Sequence, residues 1–204
     1  MSVWRFWWVD FFFFWIIEGA IPLFPLKYKK KKLNHAMVNF GFTVIHLIIH
    51  TFLAIFIVML SDWCRQQQFG MVYWTGASVG ITILISVLAL DFSSWLVHFV
   101  MHKSPLLWRF HLIHHSDTKV DVTTGLRHHP GDSLLRGIFF LLLIFVSGAP
   151  MYGVMIYQTL VVFATAFTHA NISLPKKAGS CIELYSYFSQ YAQSASPLET
   201  ALYR

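Results

Sequence analysis

Imidazole side chains dominate one stretch of this sequence. Seven of the chain's eleven histidines stand between His98 and His129, a span of 32 residues. They run as Asp91-FSSWLV-His98-FVM-His102-KSPLLWRF-His111-LI-His114-His115, followed by Arg127-His128-His129-Pro130. On a helix, His98 and His102 stand four residues apart and project from one face. His111, His114 and His115 occupy i, i+3 and i+4, which also shares a face and suits a pair of metal ions. Neutral imidazole is a ligand for iron, zinc and copper. Clustered imidazoles repel one another when protonated, whereas a metal uses their neutral lone pairs. A single histidine on an apolar helix is ordinarily a satisfied core residue. Five at this spacing favour a metal site over a histidine-rich surface.

The elements that must hold these residues are apolar. Of 204 residues, 56% are hydrophobic and 12% charged, against about 25% charged in ordinary globular domains. Met37 to Leu60 gives 24 residues with no charged side chain, and Met71 to Leu90 gives 20 more. A membrane-crossing helix needs roughly 20. The expectation is an all-α, polytopic membrane bundle, with membrane segments at about 4–26, 37–60, 71–96, 134–147 and 151–168. A histidine-rich region at 97–133 and a tail at 176–204 complete a single membrane domain. The net charge of +6 resides in few basic residues, placed in short loops where the positive-inside rule puts them, so a nucleic-acid partner is not indicated. Cys64 and Cys181 form no CxxC pair and give no disulfide framework. The aromatic-rich start has no basic leader or cleavage site and reads as an interfacial or spanning segment.

Sidedness follows from the lysine run. Lys27 and Lys29 to Lys32 mark the cytoplasmic side. Two crossings then return His98 to that side, with Lys103, Arg109, Lys119 and Arg127 around it. A further pair of apolar segments, joined by Ser-Gly-Ala-Pro and either spanning or re-entrant, returns His169 to the same face. The metal site is expected to face the cytosol from a multi-pass integral membrane protein.

The H-x3-H, H-x2-H-H and R-x-H-P pattern, with Asp91 seven residues before His98, resembles the fatty acid hydroxylase superfamily, which includes the sterol desaturases. The string His169-Ala-Asn-Ile-Ser-Leu-Pro175 is similar to that family's next landmark, and the resemblance covers roughly residues 15–175. It implies a four-helix-type anchor under a non-haem di-iron site with histidine ligands, zinc being a substitute that imidazoles alone do not exclude. It implies an oxidoreductase that takes O₂ and electrons from an external donor to hydroxylate or desaturate a lipid or sterol-like substrate. Carried over, His98 and His102 are the first ligand pair, His111, His114 and His115 the second cluster, and His169 a further ligand. His129 holds the family's H-P position, as a ligand or just behind the ligands. Asp91, Arg127 and His128 fall among the residues expected to support them. Asp91 is read either as a polar group satisfied inside the bundle or as a carboxylate orienting a ligand imidazole. The family pattern ends in another H-x2-H-H, and this sequence has no histidine after His169. The resemblance thus leaves three ligands missing, and an altered or truncated C-terminus with impaired activity is the expectation.

Other readings remain. A non-catalytic metal- or haem-binding membrane protein would use two axial histidines, but adjacent His114 and His115 cannot both serve one haem face. A metal transporter would place ligands at the bilayer midplane, where only His46 and His50 fall. Those two are read as buried polar groups of the bundle or the lining of a substrate tunnel, too deep to join the main cluster. Trp108 and Phe110 are read as interface-belt aromatics. HExxH and nucleotide-binding glycine loops are absent from the sequence, which disfavours an intramembrane metalloprotease.

Overall fold

A computed structural model describes residues 4–22, 32–117 and 120–172. The elements are α1 (Trp4–Ala20), α2 (Lys32–Gln66), α3 (Met71–Trp74), α4 (Val79–Lys103), α5 (Pro105–His115), a 3-10 turn (Val122–Leu126), α6 (Pro130–Ser147) and α7 (Met151–His169). The described residues contain no strand, and one isolated bridge joins Pro22 to Ile172. The all-α membrane bundle expected from composition is what forms.

Four helical stretches are long and apolar enough to cross a membrane: Leu33–Trp74, Val79–Lys103, Pro130–Ser147 and Met151–His169. Large apolar side chains such as Ile48, Phe52, Ile55, Met59, Leu84 and Leu88 lie exposed along them. Such a continuous apolar exterior suits lipid rather than water. Three boundaries differ from expectation. The helix expected at 37–60 runs from Lys32 to Gln66, because polar residues at both ends continue the turn outside the apolar stretch. The segment expected at 71–96 breaks after Trp74 and resumes at Val79, running on to Lys103. Consequently His98 and His102 ride on the apolar helix itself rather than in a loop beyond it. The segment expected at 134–147 gains its first turn from Pro130 and ends at Gly148, whose left-handed φ of 71° caps it.

α6 is the central helix, packed against both α2 and α4, while α7 lies on α4 and α1 leans on α7. Close approach depends on small residues, as membrane helix contacts do. A Cβ on Gly137 would run into the Leu53 side chain of α2, and one on Gly153 would meet Ser86 of α4. Leu90, Ile144, Ala149, Val154 and Tyr157 form the core at one end. At the other end Phe14, Val122 and Ile172 make a smaller one, beneath a layer of polar contacts. There buried Glu18 accepts from the backbone N–H of Val122 (2.8 Å) and of Asn171 (3.2 Å). Asn39 of α2 donates to Thr123 Oγ1 at 2.8 Å. Asp121 caps the 3-10 turn in a reciprocal capping box with Thr124. These contacts fix the turn between α5 and α6, and with it the histidines on either side.

Candidate metal centre

The chain reverses at the end of α4 for a local reason. Ser104 leaves helical backbone, its hydroxyl accepts from Leu107 N at 3.5 Å, and Pro105 opens α5. Proline at the first helical position loses no hydrogen bond and presets φ. α5 thus folds back, and His111 and His115, one turn apart, face His98 and His102.

These four imidazoles converge. Each offers one nitrogen, and the four nitrogens lie within 4.8 Å of one another. His111 Nε2 and His115 Nε2 are 3.1 Å apart. Metal–nitrogen bonds of 2.0–2.1 Å at a tetrahedral angle hold ligand nitrogens about 3.3 Å apart, so this is the spacing of co-ligands. The Nε2 atoms of His98 and His102 are buried with no hydrogen-bond partner. A buried polar atom left unsatisfied is costly, and a bilayer interior offers no water to relieve it. A metal ion satisfies both nitrogens at once, so the donor set fits one. Trp108 closes one side, buried with its ring 4.9 Å from that of His102 and 5.3 Å from that of His115. It walls the site rather than standing in an interface belt.

A carboxylate that the sequence reading passed over orients this group. Asp132, fully buried at the start of α6, accepts from His111 Nδ1 at 3.0 Å, His128 Nδ1 at 3.3 Å and Arg136 Nε at 2.7 Å. Donation from Nδ1 fixes the tautomer and leaves the His111 Nε2 lone pair for a metal. Asp91 does not take that role. It lies exposed on α4, and although seven residues bring it to the azimuth of His98, they also set it about 10.5 Å lower along the helix. The available signal for Asp132 was its singularity: it is the one acidic residue between Asp121 and Glu183, sitting in the first turn of an apolar helix.

The H-x2-H-H motif divides. His111 and His115 join the four-imidazole group, whereas His114 turns toward His169, with Nε2 to Nε2 at 3.3 Å, again co-ligand spacing. His169 Nδ1 lies 2.9 Å from the Thr165 carbonyl, which makes it the donor and keeps the Nε2 lone pair outward. His128 stacks on His114 with ring centroids 5.1 Å apart and planes within 3°. His129 is not brought in. Its Nδ1 accepts from Gly131 N at 3.0 Å as the cap of α6, and its ring lies flat on Phe110. Arg127 ties the region together, donating to the Ile113 carbonyl (3.0 Å), Ser116 Oγ (3.1 Å) and Asn39 Oδ1 (3.4 Å). It therefore anchors the end of α5 that carries His114 and His115. His46 also departs from expectation: its ring stacks on that of His128 at 5.6 Å, because the site lies several turns up α2 from the lysine run. Cys64 is a buried free thiol within α2. Cys181, the lysine run up to Lys31, Lys119 and the 176–204 tail lie outside the described residues.

His111, His114 and His115 are all held below the ordinary 6.5, chiefly by burial and further by neighbouring imidazoles, with His115 at about 3. At His111 the Asp132 carboxylate pulls the other way without cancelling the effect. These rings are therefore neutral at physiological pH and present lone pairs.

The fatty acid hydroxylase family pattern matches residues 83–194, more than half of the chain. The chain belongs to the fatty acid hydroxylase family. It is 25% identical over 92 residues to the ornithine lipid hydroxylase OlsE of Rhizobium tropici, a match spanning 45% of this chain and 28% of that protein. No solved structure matches it. The matched stretch contains the four-imidazole group, Asp132, His114 and His169, and leaves out α2 with His46 and His50.

Proposed function

We propose that this chain is a membrane lipid hydroxylase that uses O₂ and a histidine-held pair of iron ions. The observation that carries the reading is the convergence of His98, His102, His111 and His115 within a lipid-facing bundle, with two buried Nε2 atoms otherwise unsatisfied. These four would hold one ion, and His114 with His169 would contribute to a second. Iron bound there supplies activation of O₂ for insertion of oxygen into a C–H bond, with electrons from an external donor. Asp132 holds His111 in the donating tautomer, Arg136 holds Asp132, Trp108 excludes water, and Arg127 fixes the end of α5. A lipid acyl or head group reaches the site from the membrane, because α4 carries the first ligand pair inside the apolar span. The ornithine lipid hydroxylase among its relatives makes a polar membrane lipid the first substrate to try. The basic run Lys27 to Lys32 supports a site on the cytoplasmic face, the side where reductants are available.

The test is isotopic. Membranes containing the chain, a reductant and ¹⁸O₂ are extracted, and lipids are analysed by mass spectrometry. An ¹⁸O-bearing lipid that disappears with His111→Ala supports the reading, and no label in any lipid class with iron bound overturns it. A Soret band in the purified protein would favour the haem-binding alternative. For sidedness, single cysteines at Gln67 and Lys119, in a background lacking Cys64 and Cys181, are treated in intact cells with an impermeant thiol reagent. Labelling at 67 and protection at 119 is expected; the reverse places the site on the other face.

A further inference from the structure

The H-x3-H spacing of His98 and His102 recurs away from the four-imidazole group. Outside the stretch that matches the family, α2 carries His46 and His50. Their ring centroids lie 4.0 Å apart with planes tilted 30°, against 4.6 Å and 30° for His98 and His102. His128, from the residues leading into α6, stacks on His46. The hydrogen bonds around these rings leave nitrogen lone pairs available. Ser133 Oγ donates to the His129 carbonyl (3.4 Å), so it accepts from His46 Nδ1 (2.9 Å) and the proton on His46 is kept away from Nε2. His128 Nδ1 gives its proton to Asp132. His50 Nε2 is buried with no hydrogen-bond partner, in a helix long and apolar enough to cross a membrane. Hydroxyl, carboxylate and carbonyl acceptors at Nδ1 are what metal-binding histidines use to orient themselves. A buried unsatisfied nitrogen calls for an occupant.

We propose that His46, His50 and His128 form an additional site for a divalent transition metal, separate from the four-imidazole group. Three imidazoles with an open fourth position suit zinc, cobalt or copper. Among the described residues the ligand nitrogens that lie within 4.8 Å of one another are those of His98, His102, His111 and His115, so the α2 site is expected to bind the more weakly of the two. Asp132, which accepts from both His111 and His128, links one ligand of each. The proposal does not depend on lipid oxidation, and its test does not read it.

The purified full chain in detergent is titrated with Co²⁺ while the visible d–d absorption is followed, and bound zinc is counted in parallel by mass spectrometry. The expected result is a tight equivalent at the four-imidazole group followed by a second, weaker step at the α2 site, with any metal held by His114 and His169 unaffected by replacements in α2. Replacing both α2 histidines, His46→Leu with His50→Leu, removes the weaker equivalent and leaves the tight one. His98→Ala with His111→Ala does the opposite. The same equivalents and affinities in the double leucine variant overturn the proposal. Should the leucines disturb folding, His50→Gln preserves polarity and size, and is expected to weaken the second step at least tenfold. An unchanged second step in that variant overturns the proposal equally. A chain that shows both metal steps but labels no lipid with ¹⁸O speaks against the hydroxylase reading alone.

Discussion

His98/His102 and His46/His50 are the same object on a helix: two imidazoles one turn apart, tilted alike, inside a long apolar segment. What differs is the company brought to them. α4 ends at Ser104-Pro105, and the chain doubles back to place His111 and His115 over the first pair, giving four converging nitrogens. α2 runs on without a break past His50, and its pair receives one further imidazole, His128, from the approach to α6. A ligand spacing on one helix is therefore half a site. The reversal that follows it, or the neighbour that crosses it, decides how many donors arrive.

The largest test of this contrast is His111→Ala, which removes a ligand from the four-imidazole group alone. Metal affinity at that group should fall by more than the roughly 10–100-fold that loss of a supporting contact produces, with the weaker α2 site retained; equal loss at both sites would erase the distinction. Asp132→Asn comes next, with about a 10–100-fold loss of affinity. Because Asp132 touches both His111 and His128, both titration steps should weaken, and an effect confined to one step would show that it serves one site only. Gly137→Ala pushes a methyl against Leu53 where α2 meets α6. Overpacking of this kind costs about 1–3 kcal/mol, read as a lower unfolding temperature in detergent. Its metal effect should fall first on the α2 site, since Leu53 lies on the helix that carries His46 and His50.

Acid gives a graded comparison. His111, His114 and His115 have folded values below the ordinary 6.5, so the unfolded chain binds more protons and stability rises with pH. Their contribution is complete above about 6.5 and is lost as pH falls toward the folded values, about 3 for His115. Unfolding followed from pH 7.5 down to 4.5 should show this decline, flattened when His115 is replaced by Gln. The smallest effect is expected of Asp91→Asn, an exposed position on α4, within about 0.5 kcal/mol and without change in either metal step. A loss there approaching that of Asp132→Asn would return the orienting role to Asp91.

The residues alone determined a good deal. Long uncharged runs leave helices as the structure in which a bilayer-embedded backbone satisfies itself, so the all-α membrane bundle was legible from composition. The H-x3-H and H-x2-H-H spacings put imidazoles on common helix faces, and they singled out His98, His102, His111 and His115, which the fold brings together. Tertiary structure decided the rest. Helical periodicity could not say that His114 would leave its neighbours for His169, because i, i+3 and i+4 span an arc wide enough to face two partners. Nor could it rank Asp132 above Asp91. Both lie close in sequence to histidines, but a carboxylate reaches about 3 Å, and only the packing of α6 between α2 and α4 brings one of them that near to an imidazole. His129 matched a motif and became a helix cap, since a nitrogen beside an opening helix finds an N–H first. His46 looked too deep along its own helix, and the crossing of α6 set the level at which it met His128. Spacing along a chain is a one-dimensional property; coordination is a count of neighbours in three dimensions.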